Sequence, residues 1–154
     1  MTHVLVISTG TVIAAPGERV TISPLPAPVP KSVTGVSRMM QVAKRRRQVK
    51  KVRNQVESAM QIASPDVIVF DDWTTLEVLP ATNAKVIALA HVQYAKDGSI
   101  KDWWRMRQYL AGIETTIVWH VDDRSALLAN EIYNVRVIED AATAWMEEAR
   151  QALR

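Results

Sequence analysis

The sequence contains no cysteine, which excludes a disulfide framework and any metal site built from thiolates. It has only five glycines, and neither a glycine-rich phosphate loop nor a dinucleotide-binding motif occurs among them. No apolar run approaches the length of a membrane span, and the amino terminus lacks the basic leader of a signal peptide. We therefore expect a cytoplasmic protein without a membrane partner.

The chain of 154 residues is long enough for one domain, and its hydrophobic content of 48% is ordinary. Its charge is uneven. Residues 1–60 contain ten Lys or Arg against Glu18 and Glu57, a net charge of +8, whereas the remaining nine basic and fourteen acidic residues give −5. The two parts therefore face different partners or pair with each other, and in a homo-oligomer that pairing would join two copies.

Apolar runs of strand length alternate with helical patterns along most of the chain. This alternation predicts a single three-layer, Rossmann-like α/β domain over residues 1–154, with a parallel sheet whose ligands bind at the carboxyl ends of its strands. The predicted strands are residues 3–9, 66–72, 85–92, 115–123 and 135–138, and the predicted helices are residues 36–63, 100–110, 125–132 and 140–153.

Residues 11–32 interrupt the alternation. Two β-prone stretches around Gly17 predict a β-hairpin that forms a flap after the first strand. The prolines at every second position from Pro24 to Pro30 exclude a helix and a central strand, so we expect an extended connector. In the long helix that follows, apolar residues recur at spacings near three and four between Val36 and Met60, which predicts a single apolar face.

Polar side chains follow three of the predicted strands, at the edge where a parallel sheet places its carboxyl ends. Two or more carboxylates that converge there would hold Mg²⁺, which prefers oxygen ligands. The alternative is that the carboxylates only cap the following helices, as Asp123 would for a helix that begins near Ser125. The residues concerned are Ser8, Thr9 and Thr11 after the first strand, Asp71 and Asp72 after the second, and Asp122 and Asp123 after the fourth.

Three segments resemble haloacid-dehalogenase-like phosphatases. The strand and turn of the family's Asp-x-Asp-Gly-Thr signature are similar to VLVISTGTVI, and the family's flap matches the predicted hairpin. The segment that carries the family's lysine resembles DGSIKDWWRMRQYL, which places Lys101 at that position. The closing segment, with its paired magnesium-binding aspartates, resembles WHVDDRSALLANEIYNVRVI and contains Asp122 and Asp123.

This resemblance implies a magnesium-dependent phosphohydrolase-like domain with a degenerate site. Ser8 stands where the family has its nucleophilic aspartate, and a serine without a nearby base replaces a carboxylate poorly. We therefore expect a domain that binds a phosphate-bearing partner or acts on it by altered chemistry. The implied catalytic positions are Ser8, Asp71 and Lys101, the implied phosphate-binding positions are Thr9, Gly10, Thr11 and Lys101, and the implied metal ligands are Asp71, Asp122 and Asp123.

A second resemblance, to RuvC-like nucleases of the RNase H fold, involves some of the same residues. The opening of that family is similar to ISTGT, its second acidic strand to PDVIVFDD, and its carboxy-terminal helix to EDAATAW. It implies a metal-dependent nuclease or nucleic-acid-binding protein with Asp71 and Asp140 as ligands. Ser8 again replaces an aspartate, and Thr143 stands where a last aspartate is expected.

The most cationic segment is KRRRQVKKVRNQ, residues 44–55. On a helix its cations would lie opposite the valine residues and could follow a phosphate backbone in a salt-dependent manner. The alternative is a solvated outer face, or one neutralised by a neighbouring subunit in a non-catalytic assembly protein. The candidate nucleic-acid-binding residues are Lys44, Arg45, Arg46, Arg47, Lys50, Lys51 and Arg53.

Overall fold

The computed structural model of the protein describes residues 3–10 and 18–138. The predicted last helix and the first arm of the predicted hairpin lie outside these residues. The strands are β1 (Val4–Ser8), β2 (Glu18–Thr21), β3 (Val67–Phe70), β4 (Lys85–Leu89), β5 (Thr115–Val118) and β6 (Val135–Val137), and the helices are α1 (Gly35–Ala63), a 3₁₀ helix (Trp73–Val78), α2 (Trp103–Leu110) and α3 (Val121–Ala129).

The six strands form one sheet in the order β2-β1-β3-β4-β5-β6, and every neighbouring pair is parallel. Parallel neighbours need crossover connections, and α1, the 3₁₀ helix, α2 and α3 supply those between successive strands from β2 to β6. An α/β architecture of the Rossmann-like kind is therefore confirmed.

Alternate residues of the central strands face opposite sides of the sheet, as strand geometry requires. Ile7 and Phe70 belong to a large buried cluster that also contains residues of all four described helices. Val6, Val69 and Ile87 belong to a smaller cluster on the other face, to which no residue of a described helix contributes. Within the described residues, therefore, helices cover one face of the sheet, and the predicted third layer stays a prediction.

Strand β2 lies in the second arm of the predicted hairpin. It pairs in parallel with β1, with Leu5 opposite Glu18 and Ser8 opposite Thr21, so it extends the sheet by one edge strand. The first arm of that hairpin lies outside the described residues, so the flap itself stays a prediction. The apolar alternation around Val20 predicted a strand correctly, but alternation alone does not determine which neighbour a strand joins or in which direction.

Helix α1 confirms the predicted long helix almost to the residue. It ends where Ser64 adopts a left-handed conformation (φ 43°) immediately before Pro65. The single apolar face, however, is wrong, since only Val49, Val52, Val56 and Ala59 are buried within the helix. No helix among the described residues combines the length and apolar character needed to cross a bilayer.

The two shorter predicted helices begin at other residues than expected. Ser99 does not cap α2, because its hydroxyl and N–H both donate to the Asp97 carboxylate within a turn, and α2 begins only at Trp103. Helix α3 begins at Val121, directly after β5, so that Asp122 and Asp123 lie inside its first turn. The connector from Pro24 to Pro30 contains neither helix nor strand, as predicted.

A bidentate ion pair fastens the middle of α1 to its surroundings. The Arg45 guanidinium donates from Nη1 and Nη2 to the two carboxylate oxygens of Glu77, at 2.8 and 2.7 Å. Its Nε also donates to the carbonyls of Pro26 and Ala27 in the connector. Hydrogen bonding to Arg45 lowers the pKa of Glu77, against the opposing effect of burial. One side chain thus joins α1, the connector and the 3₁₀ helix.

We expect Glu77→Gln to lower the free energy of unfolding by about 1–2 kcal/mol at neutral pH, because charge-assisted bonds are lost from a partly buried pair. Since the pKa of Glu77 is lowered in the folded protein, the stabilisation is present above the ordinary glutamate pKa. It disappears as the pH falls through the lowered value. Urea unfolding at neutral and acidic pH measures both effects, and an equal loss for the exposed control Glu57→Gln would contradict this role.

Candidate functional site at the carboxyl edge of the sheet

The strand order creates one switch point, between β1 and β3. The chain leaves β1 towards β2 on one side and then crosses back, through α1, to β3 on the other side. In doubly wound sheets, ligands bind outside the carboxyl ends of the two strands at such a point. In this protein Ser8 ends β1 and Asp71 follows β3, so both lie at the switch point.

A buried polar network occupies the switch point. Ser8 Oγ donates to Asp71 Oδ2 at 2.6 Å, and the Thr9 N–H donates to Asp71 Oδ1 at 3.1 Å. The Arg19 guanidinium, from β2, donates to Ser8 Oγ at 2.8 Å and lies 4.0 Å from Asp71 Oδ2. The Gly10 N–H also donates to Ser8 Oγ, at 3.1 Å. Ser8 is 0% and Asp71 2% exposed, whereas the Arg19 side chain is 39% exposed, so the network ties β1, β2 and β3 together around a buried Ser8–Asp71 pair.

The structure changes the interpretation of Ser8. The sequence offers no base beside this serine, yet the fold brings the Asp71 carboxylate against its hydroxyl. The pair nevertheless lacks the access that a nucleophile needs, since Ser8 is fully buried. Its oxygen donates one hydrogen bond and accepts two from Arg19 and Gly10. In this arrangement Ser8 positions the turn after β1 and contacts no open space.

The structure does not bring the predicted metal ligands Asp71, Asp122 and Asp123 together in one cluster. Both oxygens of Asp71 accept hydrogen bonds, and Arg19 already supplies a positive charge beside them. Asp122 and Asp123 follow β5, which β4 separates from β3, and two strand spacings amount to about 9–10 Å. Residues 3–10 and 18–138 contain no group of three or more His, Asp or Glu that could hold a metal. Thr11, Asp140 and Thr143 lie outside these ranges.

Asp122 and Asp123 have a local role in α3. Acidic side chains in the first turn stabilise a helix by their interaction with its positive end, and His120, not Asp123, occupies the N-cap position. The Tyr94 hydroxyl donates to Asp123 Oδ1 at 2.7 Å. Burial, and then this hydrogen bond, raise the pKa of Tyr94 to about 12. Asp123 therefore connects α3 to the segment after β4.

Beside the switch point, the carboxyl ends of β3 and β4 border a cleft of about 320 Å³. A short antiparallel bridge between Tyr94 and Ile100 folds the chain back, and the Lys101 N–H donates to the Gln93 carbonyl at 2.8 Å. This turn brings Lys101 next to residues that directly follow β4. The cleft is lined by Asp72, Trp73, Thr74, His91, Gln93, Lys101, Asp102 and Met106.

The cleft contains one side chain that the resemblances assigned and several that they did not. Lys101 is there, as is Asp72, whose Oδ1 accepts from the Thr74 N–H and hydroxyl at the start of the 3₁₀ helix. His91 and Gln93 were not assigned a function by either resemblance. Their position directly after an apolar strand was the available signal, because that is where a parallel sheet presents side chains to a ligand.

The cationic segment of α1 is only partly available to a partner. Arg45 is held by Glu77, and the Arg53 guanidinium donates to the Glu77 carbonyl at 3.0 Å. The other five candidates are exposed, and the ion pairs formed among the described residues involve none of them. These five residues, which we call the basic face, are Lys44, Arg46, Arg47, Lys50 and Lys51.

Comparison of the chain with protein-family models, with curated proteins and with solved structures finds no match.

We expect Asp71→Ala to lower the free energy of unfolding by about 3 kcal/mol, because it leaves buried donors of Ser8 and Thr9 without an acceptor. Asp72→Ala, which removes only a helix cap, should cost about 1 kcal/mol. Chemical denaturation of the two variants tests the difference. A magnesium-dependent rise in Tm that Asp71→Ala abolishes would contradict the structural role of Asp71.

Proposed function

We propose that this protein binds a small phosphate-bearing ligand in the cleft at the carboxyl ends of β3 and β4. The observation that carries the proposal is the position of the cleft: it adjoins the switch point of a parallel sheet, and Lys101 and His91 both line it. A lysine is a point charge with three donors, which suits phosphate oxygens approaching from several directions.

The remaining lining residues complete a small polar site. Thr74 and Gln93 add a hydroxyl and an amide, while Asp72 and Asp102 offer acceptors for hydroxyl groups of a ligand. Trp73 and Met106 are both buried and form an apolar floor. The Arg105 guanidinium lies 5.6 Å from the centre of the Trp73 ring and packs that ring in place. The cleft volume lies at the lower end of the range for small-molecule sites.

Binding is better supported than hydrolysis. A phosphoaspartyl mechanism requires an accessible carboxylate nucleophile, and Ser8 stands buried at that position with Asp71 hydrogen-bonded behind it. Under this proposal the likeness to haloacid-dehalogenase-like phosphatases applies to the phosphate-binding lysine, Lys101, and not to the chemistry. The same cleft would serve to hold and orient a phosphate monoester.

Calorimetric titration with inorganic phosphate and a panel of phosphate monoesters tests the proposal. We expect at least one of these compounds to bind, and Lys101→Gln to weaken its binding at least about tenfold, since a charge-assisted hydrogen bond is lost. Lys96→Gln, a nearby exposed lysine outside the cleft, is the matched control and should bind as the unmodified protein does.

Two results would overturn this assignment. One is that no phosphate compound binds, or that Lys101→Gln binds as tightly as the unmodified protein. The other is magnesium-dependent release of phosphate from an aryl phosphate that Asp71→Asn or Asp122→Asn abolishes, which would establish the hydrolase implied by the family resemblance instead.

A further inference from the structure

The amino-terminal half of α1 extends beyond the core. All buried residues of the helix lie between Val49 and Ala59, so none belongs to the stretch from Gly35 to Gln48. These fourteen residues add about 21 Å of helix at 1.5 Å per residue. Arg38 and Arg45 donate to carbonyls of the chain before the helix, but most other residues of this half are exposed to solvent.

Three large apolar side chains are exposed on this projecting half: Val36 is 72%, Met39 71% and Met40 68% accessible. With the exposed Ala43 they follow the spacing of one helical face. The step of six residues from Ala43 to Val49 does not match the helical repeat of 3.6 residues. Around the helix axis, this face therefore points about 170° away from the buried residues, which run from Val49 to Ala59. The apolar patch, Val36, Met39, Met40 and Ala43, consequently faces away from the sheet.

The basic face lies on the same side of α1. At 3.6 residues per turn, its five cations centre on the direction opposite the buried stripe, the direction in which the apolar patch also points. The helix contains a single carboxylate, Glu57, which lies beyond both sets of residues. One outward surface thus combines uncovered apolar side chains with unneutralised positive charge.

We propose that this outward surface of α1 docks on a membrane surface that contains anionic phospholipid. The apolar patch would enter the boundary between headgroups and acyl chains, and the basic face would contact the phosphates. This is surface attachment, which requires no spanning helix. It departs from the expectation of no membrane partner, which rested on the lack of a spanning segment, and it does not depend on the cleft.

The apolar patch favours a lipid partner over the two alternatives, a nucleic acid and a second copy of this chain. A nucleic-acid backbone would neutralise the basic face but would leave Val36, Met39 and Met40 in water. A second copy that docked through the same surface of its own α1 would cover the patch, but it would bring its own cations towards a surface of the same sign. An anionic bilayer provides both an apolar layer for the patch and negative charge for the basic face.

Cosedimentation with phosphatidylcholine vesicles, with and without roughly one-third phosphatidylglycerol, tests the proposal on the full chain. We expect binding to the anionic vesicles alone, weakened by added salt. Arg46→Gln, Arg47→Gln and Lys50→Gln together should reduce it about a hundredfold, at about 1 kcal/mol for each cation. Met39→Gln with Met40→Gln should reduce it at least about tenfold through lost apolar burial.

The matched control replaces three exposed cations outside α1 by glutamine: Lys31, Lys96 and Arg124. The control removes the same charge and should keep most of the vesicle binding. All variants alter exposed positions, so circular dichroism should show that each of them folds as the unmodified protein does. Absence of vesicle binding, or equal loss in the control, would overturn the proposal. A third result would also overturn it: salt-sensitive binding to a DNA or RNA duplex without binding to vesicles. In that case the variant with Met39→Gln and Met40→Gln would bind the duplex as well as the unmodified protein does.

Discussion

The buried carboxylate of Asp71 is the constraint on which the carboxyl edge of the sheet depends. A charge removed from water must be compensated by hydrogen bonds and by opposite charge, and here Ser8, Thr9 and Arg19 provide both. Because these three residues come from β1, the turn after it and β2, the requirement fixes the relative positions of three neighbouring strands. The cleft adjoins this network through Asp72, which lines the cleft and directly follows Asp71 in the chain.

Much of the architecture followed from the sequence because it depends on local pattern. The short runs at β3 and β4 are apolar apart from Lys85 at the start of β4, as expected of strands covered on both faces, and the predicted end of α1 at residue 63 was correct. The sequence did not predict that β2 runs parallel to β1, since alternating apolar and polar residues are equally compatible with a parallel and an antiparallel neighbour. The apolar patch on α1 was predicted to share one face with the buried valines because apolar residues recur at helical spacing along the whole segment. Only the packed helix shows that the two sets lie on different faces.

The candidate site was predictable in its location and less so in its chemistry. Parallel topology alone placed Ser8, Asp71 and Asp122 at one edge of the sheet, and the family resemblance added Lys101. Distance along that edge depends on strand order, which local sequence does not encode. The order separates Asp71 from Asp122 by two strand spacings. Arg19 was missed altogether, because nothing in the sequence indicates that an arginine of the supposed flap returns to the end of β1.

The central claim, that Ser8 and Asp71 form a structural bond holding the switch point together, can be measured as a coupling energy. A double-mutant cycle with Ser8→Ala and Asp71→Asn, followed by urea unfolding, isolates their interaction from the separate effects of each change. We expect a coupling of at least about 1 kcal/mol, as is typical of a buried hydrogen bond to a charged group. Losses that add to within about 0.3 kcal/mol would contradict it.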